Sequence, residues 1–104
     1  MAPKEPLILA GYGAALLAAG QTKKATAILK KAYARDPYNP SMLRSLARAY
    51  SASGKNAMAA LMAAEAYAVI GKMKSARPLA KRAANALPRG SVPWQRAQDM
   101  LQAK

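Results

Sequence analysis

Residues 6–39 read PLILAGYGAALLAAGQTKKATAILKKAYARDPYN. This stretch divides at Gly20 into two apolar-periodic segments and closes on Asp36-Pro37. Its small and large residues fall at fixed places: Leu9, Tyr12, Gly13, Leu16, Gly20, Ala25, Leu29, Ala32 and Pro37. Working outward, Gly54 follows Gly20 by 34 residues, and Gly71 follows Gly54 by 17, half that period. A recurrence of this length predicts helix–turn–helix repeats. Small residues let two antiparallel helices approach closely, and large ones fill the gaps between neighbours. A second frame opens at Pro40 with Leu43, Leu46, Ala47, Tyr50, Gly54 and Ala59, then lacks its closing proline. A third opens at Ala57 with Ala63, Ala64, Tyr67, Gly71, Ala76, Ala80, Ala83 and Pro88. Segment 57–70 therefore serves as second helix of one repeat and first helix of the next.

The pattern resembles the tetratricopeptide repeat at nearly every defining place of the first frame. The expected fold is all-α: about six helices in TPR-like stacked antiparallel pairs, a segment of a right-handed α-solenoid. The helices are expected near 6–19, 22–36, 40–53, 57–70, 74–87 and 92–102. Asn39 is read as a cap before Pro40 and Ser91 as the cap of the last helix. Ser75 is read as a cap that would place Pro78 in a first turn, where proline is tolerated. The whole chain, 1–104, reads as one domain, with repeats about 6–39, 40–70 and 71–90 and a capping helix at 91–103. Tyr12, Leu16, Leu29, Leu46, Tyr50 and Tyr67 are the expected core residues, and Ala32 and Ala47 the expected close helix contacts.

Seventeen Lys and Arg face only four acids, for a formal charge of +13. The cations are spread along the chain rather than gathered in a tail, so the field attracts anionic partners generally. Nucleic acid is the weaker expectation, because Tyr12, Tyr50 and Tyr67 fall at packing places and the cations are not interleaved with groove aromatics that could stack bases. Lys4 before the apolar stretch 7–19 has the outline of a secretory signal, but Glu5 and Pro6 interrupt it and the repeat runs through it. Pro6–Thr22 is the longest uncharged stretch, 17 residues with three glycines, marginal for a bilayer span. No transmembrane segment is expected.

The chain has no histidine and no cysteine. Imidazole bases, His-based zinc sites, disulfides and thiol nucleophiles are thereby excluded. Glu5, Asp36, Glu65 and Asp99 are far apart in sequence, and no expected helix pairs two of them for acid–base work. Gly11-Tyr12-Gly13 is too short for a phosphate-binding loop and follows no strand. No enzyme activity, cofactor or metal is expected of this chain.

What remains is a binding surface. In stacked repeats the first helix of each pair lines the concave face, and the frames above place Leu7, Leu17, Arg44, Arg48, Met58, Leu61 and Glu65 there. Arg44 and Arg48 stand one turn apart and could grip a carboxylate. Glu65 is their nearest expected internal partner. The expected ligand is a protein or peptide segment with apolar anchors beside an acidic group. A free-standing scaffold or adaptor, or a basic surface for anionic membrane or nucleic acid, is the alternative.

The second half carries a narrower resemblance. Leu87-Pro88-Arg89-Gly90-Ser91 followed by Trp94-Gln95-Arg96-Ala97-Gln98-Asp99, together with Ala64–Tyr67 and Asp36–Pro40, is similar to the C-terminal tetratricopeptide tail of BepA-like periplasmic zinc metallopeptidases. That resemblance implies a non-catalytic tail, with zinc held by His-Glu-x-x-His in an upstream domain and a periplasmic role in outer-membrane protein quality control. The tail's role would be docking, and no catalytic residue carries over. Tetratricopeptide modules that clamp a terminal carboxylate use an asparagine where this chain has Arg48, so that activity does not carry over either.

Overall fold

The computed structural model describes residues 5–103; Lys4 and the three residues before it, and Lys104, lie outside them. Six α-helices follow one another: α1 Glu5–Ala18, α2 Thr22–Arg35, α3 Pro40–Ala52, α4 Asn56–Val69, α5 Met73–Ala86 and α6 Val92–Gln102. There is no strand among the described residues. The fold is an all-α, tetratricopeptide-like stack of antiparallel helix pairs.

One turn, used three times, sets the stack. After α1, Gly20 N–H donates to Leu17 O at 3.0 Å and Gln21 N–H to Leu16 O at 2.9 Å. Gly54 with Lys55, and Gly71 with Lys72, repeat the same two bonds onto Ser51 and Tyr50, and onto Ala68 and Tyr67. These are the paired bonds that close a helix through a left-handed residue. The three glycines have φ of 76° to 80°, which a side chain would strain. The α2–α3 connection works differently. Asn39 Oδ1 accepts from Ser41 N–H at 3.0 Å and Met42 N–H at 3.2 Å, with Pro40 opening the helix. Ser91 caps α6 by accepting from Trp94 N–H at 3.3 Å. Ser75, however, is not a cap. The Gly71 turn starts α5 at Met73, so Pro78 lies inside the helix. It sits on the exposed side, where the carbonyl it leaves unpaired can turn to water.

The helices pack as α1 on α2, α3 on α4 and α4 on α5, with α2 meeting α3 and α5 meeting α6. The backbones of α1 and α3, and of α4 and α6, also come close, whereas those of α3 and α5 stay apart. α4 is thus shared between two pairs, as the overlapping frames predicted. The core runs through Leu29, Met42, Leu43, Leu46, Leu61 and Met62, with Ala25, Ala32, Ala49, Ala60 and Ala83 at the close helix approaches. Ala47 is only half-buried and lines a surface groove.

Leu29, Leu46 and Tyr50 are buried, and Leu16 is half-buried. Tyr12 and Tyr67 are not: they are 54% and 39% exposed. The buried residue of the Tyr12-Gly13 pair is the glycine. A Cβ at Gly13 would meet Leu29 Cγ at 2.6 Å and Cδ2 at 2.7 Å. Leu29 is fully buried, so its side chain must shift within a packed core to admit a methyl group. Gly13→Ala is therefore expected to lower stability by about 1–2 kcal/mol, the overpacking cost outweighing the roughly 1 kcal/mol that alanine gains in helix propensity. Thermal melting tests this; an unchanged midpoint would mean that α1 does not rest on Leu29 through Gly13.

Candidate functional site

Two open faces lie on either side of α4. Residues Ala59, Ala63, Ala66 and Ile70 point one way around its axis and Met58, Leu61, Glu65 and Ala68 the other, about half a turn apart at roughly 100° per residue.

On the first side is a groove whose floor is alanine. Its upper part, about 320 Å³, is lined by Arg44, Ala47 and Arg48 of α3 and Ala63, Ala66, Tyr67 and Ile70 of α4 and its end. Its continuation, about 510 Å³, shares Ala47, Arg48 and Ala63 and adds Ser51, Asn56, Ala59, Ala60, Leu79 and Arg82. The groove exists because α3 and α5 flank α4 with their backbones held apart. Methyl side chains on α4 keep its floor low. Tyr67 is exposed because it stands at this open floor.

The cations of the groove have no internal counter-charge. Among the described residues, Glu5 pairs with Arg35, and Glu65 pairs with Arg96. Asp36 accepts from Tyr38 N–H at 3.1 Å, and Asp99 from Gln95 Nε2 at 3.0 Å. None of these four acids lines the groove, so Arg44, Arg48 and Arg82 present bare positive charge over an apolar floor.

On the other side, α2, α4 and α6 meet at Glu65. Its carboxylate accepts from Tyr33 Oη at 2.8 Å and from Arg96 Nε and Nη2, both at 3.0 Å. The Arg96 guanidinium lies 4.7 Å from the centre of the Tyr33 ring. The Glu65 side chain is 12% exposed. Burial pushes its carboxyl up to about 7, and burial lowers Arg96. A cleft of about 270 Å³ flanks the pair, lined by Pro37, Tyr38, Ala68, Val69, Asp99 and Met100. A smaller one of about 180 Å³ holds Met58, Leu61, Met62, Leu46, Tyr50 and Tyr33 beneath Val92, Pro93 and Arg96.

The expected groove set is therefore divided. Arg44 and Arg48 come together in the alanine groove. Met58, Leu61 and Glu65 lie on the opposite face of α4, Leu61 fully buried and Met58 half-buried. Leu7 and Leu17 belong to α1 and line neither face: Leu7 is exposed, and Leu17 packs against the core. Glu65 is not the partner of Arg44 and Arg48, since Arg96 and Tyr33 hold it. The cause is topological. Successive antiparallel helices alternate between two layers, so the first helices of frames one and two, α1 and α3, share a layer. Sharing α4 shifts the third frame by one helix and puts its first helix, α4, in the other layer, with the capping helix α6. Arg82 is missed because α5 reads as the second helix of the third frame and only first helices are placed on the concave face, and Arg96 because its partner is 31 residues away.

Residues 16–59 match the tetratricopeptide repeat family. The match covers the end of α1, all of α2 and α3 and the start of α4, the part with the regular period. Neither curated proteins nor solved structures gave a match. Among the described residues there is no cluster of three or more metal-ligating side chains, and no helix is long and apolar enough to cross a membrane. Residues 16–59 are thus similar to a tetratricopeptide repeat, a class that is generally a non-catalytic scaffold for protein partners.

Proposed function

We propose that this chain is a protein-interaction module whose working face is the alanine groove, and that its partner offers an acidic segment with apolar side chains. One observation carries the reading: Arg44, Arg48 and Arg82 surround a floor of small apolar residues while every acid of the described chain is engaged elsewhere. The low floor admits side chains of the bound segment, and the guanidinium groups take its carboxylates in bidentate fashion. The net charge adds long-range steering toward acidic partners.

A fluorescein-labelled peptide of alternating Glu and Leu is a sufficient probe, with a Lys–Leu peptide as control. Arg44→Ala with Arg48→Ala should weaken binding of the acidic peptide by about 2 kcal/mol or more, over tenfold in Kd. Lys23→Ala with Lys24→Ala, on the outer face of α2, should change it far less. Equal losses from the two double variants would show that only the overall field matters and would remove the groove reading.

The resemblance of residues 87–99 supports a narrower version. In it the module is the tail of a BepA-like zinc metallopeptidase, located in the periplasm and docking outer-membrane protein substrates or their assembly machinery. Zinc would then belong to the protease domain and no cofactor to this chain. Co-purification with such a protease domain and an unfolded outer-membrane protein, lost on Arg44→Ala with Arg48→Ala, would test it.

A further inference from the structure

The exposed positions of α1 are Leu7, Ile8, Gly11, Tyr12, Ala15 and Ala18, all apolar or small. They fall within one arc of about 140° at roughly 100° per residue. Leu7 and Ile8 are 59% and 66% exposed. The outer face of α2, by contrast, carries Lys23, Lys24, Lys30 and Lys31. A helix that is apolar all round is one whose outer side is covered by something.

Gly11 adds an independent observation. Glycine is a poor residue for a helix interior, and nothing among the described residues requires it here. A Cβ at Gly11 would meet no atom within 4 Å, whereas one at Gly13 would collide with Leu29. Gly11 and Ala15 lie at the centre of the exposed arc, with Leu7 on one rim and Ile8 and Tyr12 on the other. This is a furrow with a low floor between ridges, the shape that receives another helix at close range.

We propose that this face joins two copies of the chain, α1 packing antiparallel on α1 of the second copy about a two-fold axis near Gly11. The surface is self-complementary, as an isologous contact must be: the ridge of Ile8 and Tyr12 on one copy meets the furrow of Gly11 and Ala15 on the other. Charge selects a second copy over an acidic partner. No Lys or Arg lies between Glu5 and Thr22, so an acidic segment finds no counter-charge here, and two chains of +13 repel least when joined at this end. Side-chain size selects it over lipid. Glycine and alanine offer a bilayer little apolar area but let helix backbones approach.

The test is sedimentation velocity of the full chain over a range of concentrations at low and high salt. Reversible dimerisation that strengthens with salt is expected, because salt screens the repulsion; the acidic-peptide groove has the opposite dependence. Gly11→Leu, whose side chain enters open solvent in the monomer, should weaken dimerisation at least tenfold without lowering the melting temperature of the monomer, since leucine is the better helix former. In this cysteine-free chain, Gly11→Cys should form a disulfide-linked dimer on mild oxidation, while Ala27→Cys on the outer face of α2 should not. A chain that stays monomeric at high concentration and high salt overturns the proposal. So does unchanged dimerisation of Gly11→Leu, equal cross-linking of the two cysteine variants, or sedimentation with phosphatidylcholine vesicles in place of self-association.

Discussion

Leu61→Ala is expected to lower the unfolding free energy by about 3 kcal/mol, within the roughly 2–5 kcal/mol span of buried leucine truncations. Leu61 is fully buried and touches the region where α2, α3, α4 and α6 converge. The truncation would join the lost side-chain volume to a cleft of about 180 Å³ already present beneath Val92 and Pro93. Neighbours on four helices cannot all collapse inward to refill it, and the cost grows with the void that remains. Urea denaturation should show a lower midpoint at constant slope. Leu61→Met, which conserves volume, should cost less than about 1.5 kcal/mol. The measurement also separates two roles for this residue. A groove-lining Leu61 would lose peptide affinity with little change in stability, whereas the buried Leu61 described here should lose stability and leave the affinity of the remaining folded chain unchanged.

Glu65→Ala is expected to cost about 3 kcal/mol, because it removes one partner of a largely desolvated pair and leaves the other behind. The carboxylate receives three hydrogen bonds that tie α6 to α2 and α4. Without it, Arg96 lies over the Tyr33 ring with no carboxylate, and Tyr33 loses its acceptor. Glu65→Gln keeps an acceptor for one donor and should cost only about 1 kcal/mol. Replacing both partners, Glu65→Leu with Arg96→Met, should recover much of the loss, since an apolar pair avoids the desolvation penalty. Equal losses from Glu65→Ala and Glu65→Gln would show that the donors at this site are satisfied in some other way.

The same site sets a pH dependence of definite sign. Burial pushes the Glu65 carboxyl from 4.5 up to about 7 in the folded chain, outweighing the two guanidinium donors. The folded chain therefore holds this proton more tightly than the unfolded chain does. The stability that Glu65 contributes is present in full below about pH 4.5 and is lost as pH rises through about 7. Tyr33 and Arg96 face the group directly, and Tyr38 and Asp99 line the adjoining cleft. Stability measured from about pH 5 to about pH 8 should fall, and Glu65→Gln should remove that part of the slope. A wild-type chain whose stability rises over this range would contradict the sign.

The helices and their order were legible in the sequence because their causes are local. Gly20, Gly54 and Gly71 close helices by the same left-handed turn, Asn39 and Ser91 open them by side-chain capping, and the small residues that recur with the period fall at close approaches. Pro78 was misplaced only because the glycine turn, rather than Ser75, starts α5. That Arg44 and Arg48 share one face was also readable, since spacing along a single helix decides it. Which other residues join that face was not readable, because it depends on how helices far apart in sequence are layered. The sharing of α4 between two pairs moved Met58, Leu61 and Glu65 to the opposite layer and brought Arg82 to the groove. It also brought Arg96 onto Glu65. Tyr12 and Tyr67 occupy the pattern's packing positions, yet among the described residues no helix lies over the outer side of α1 and none over the floor between α3 and α5. A repeat pattern states which residues can be covered; only the assembled layers determine which of them are, because coverage depends on the neighbouring helix being there.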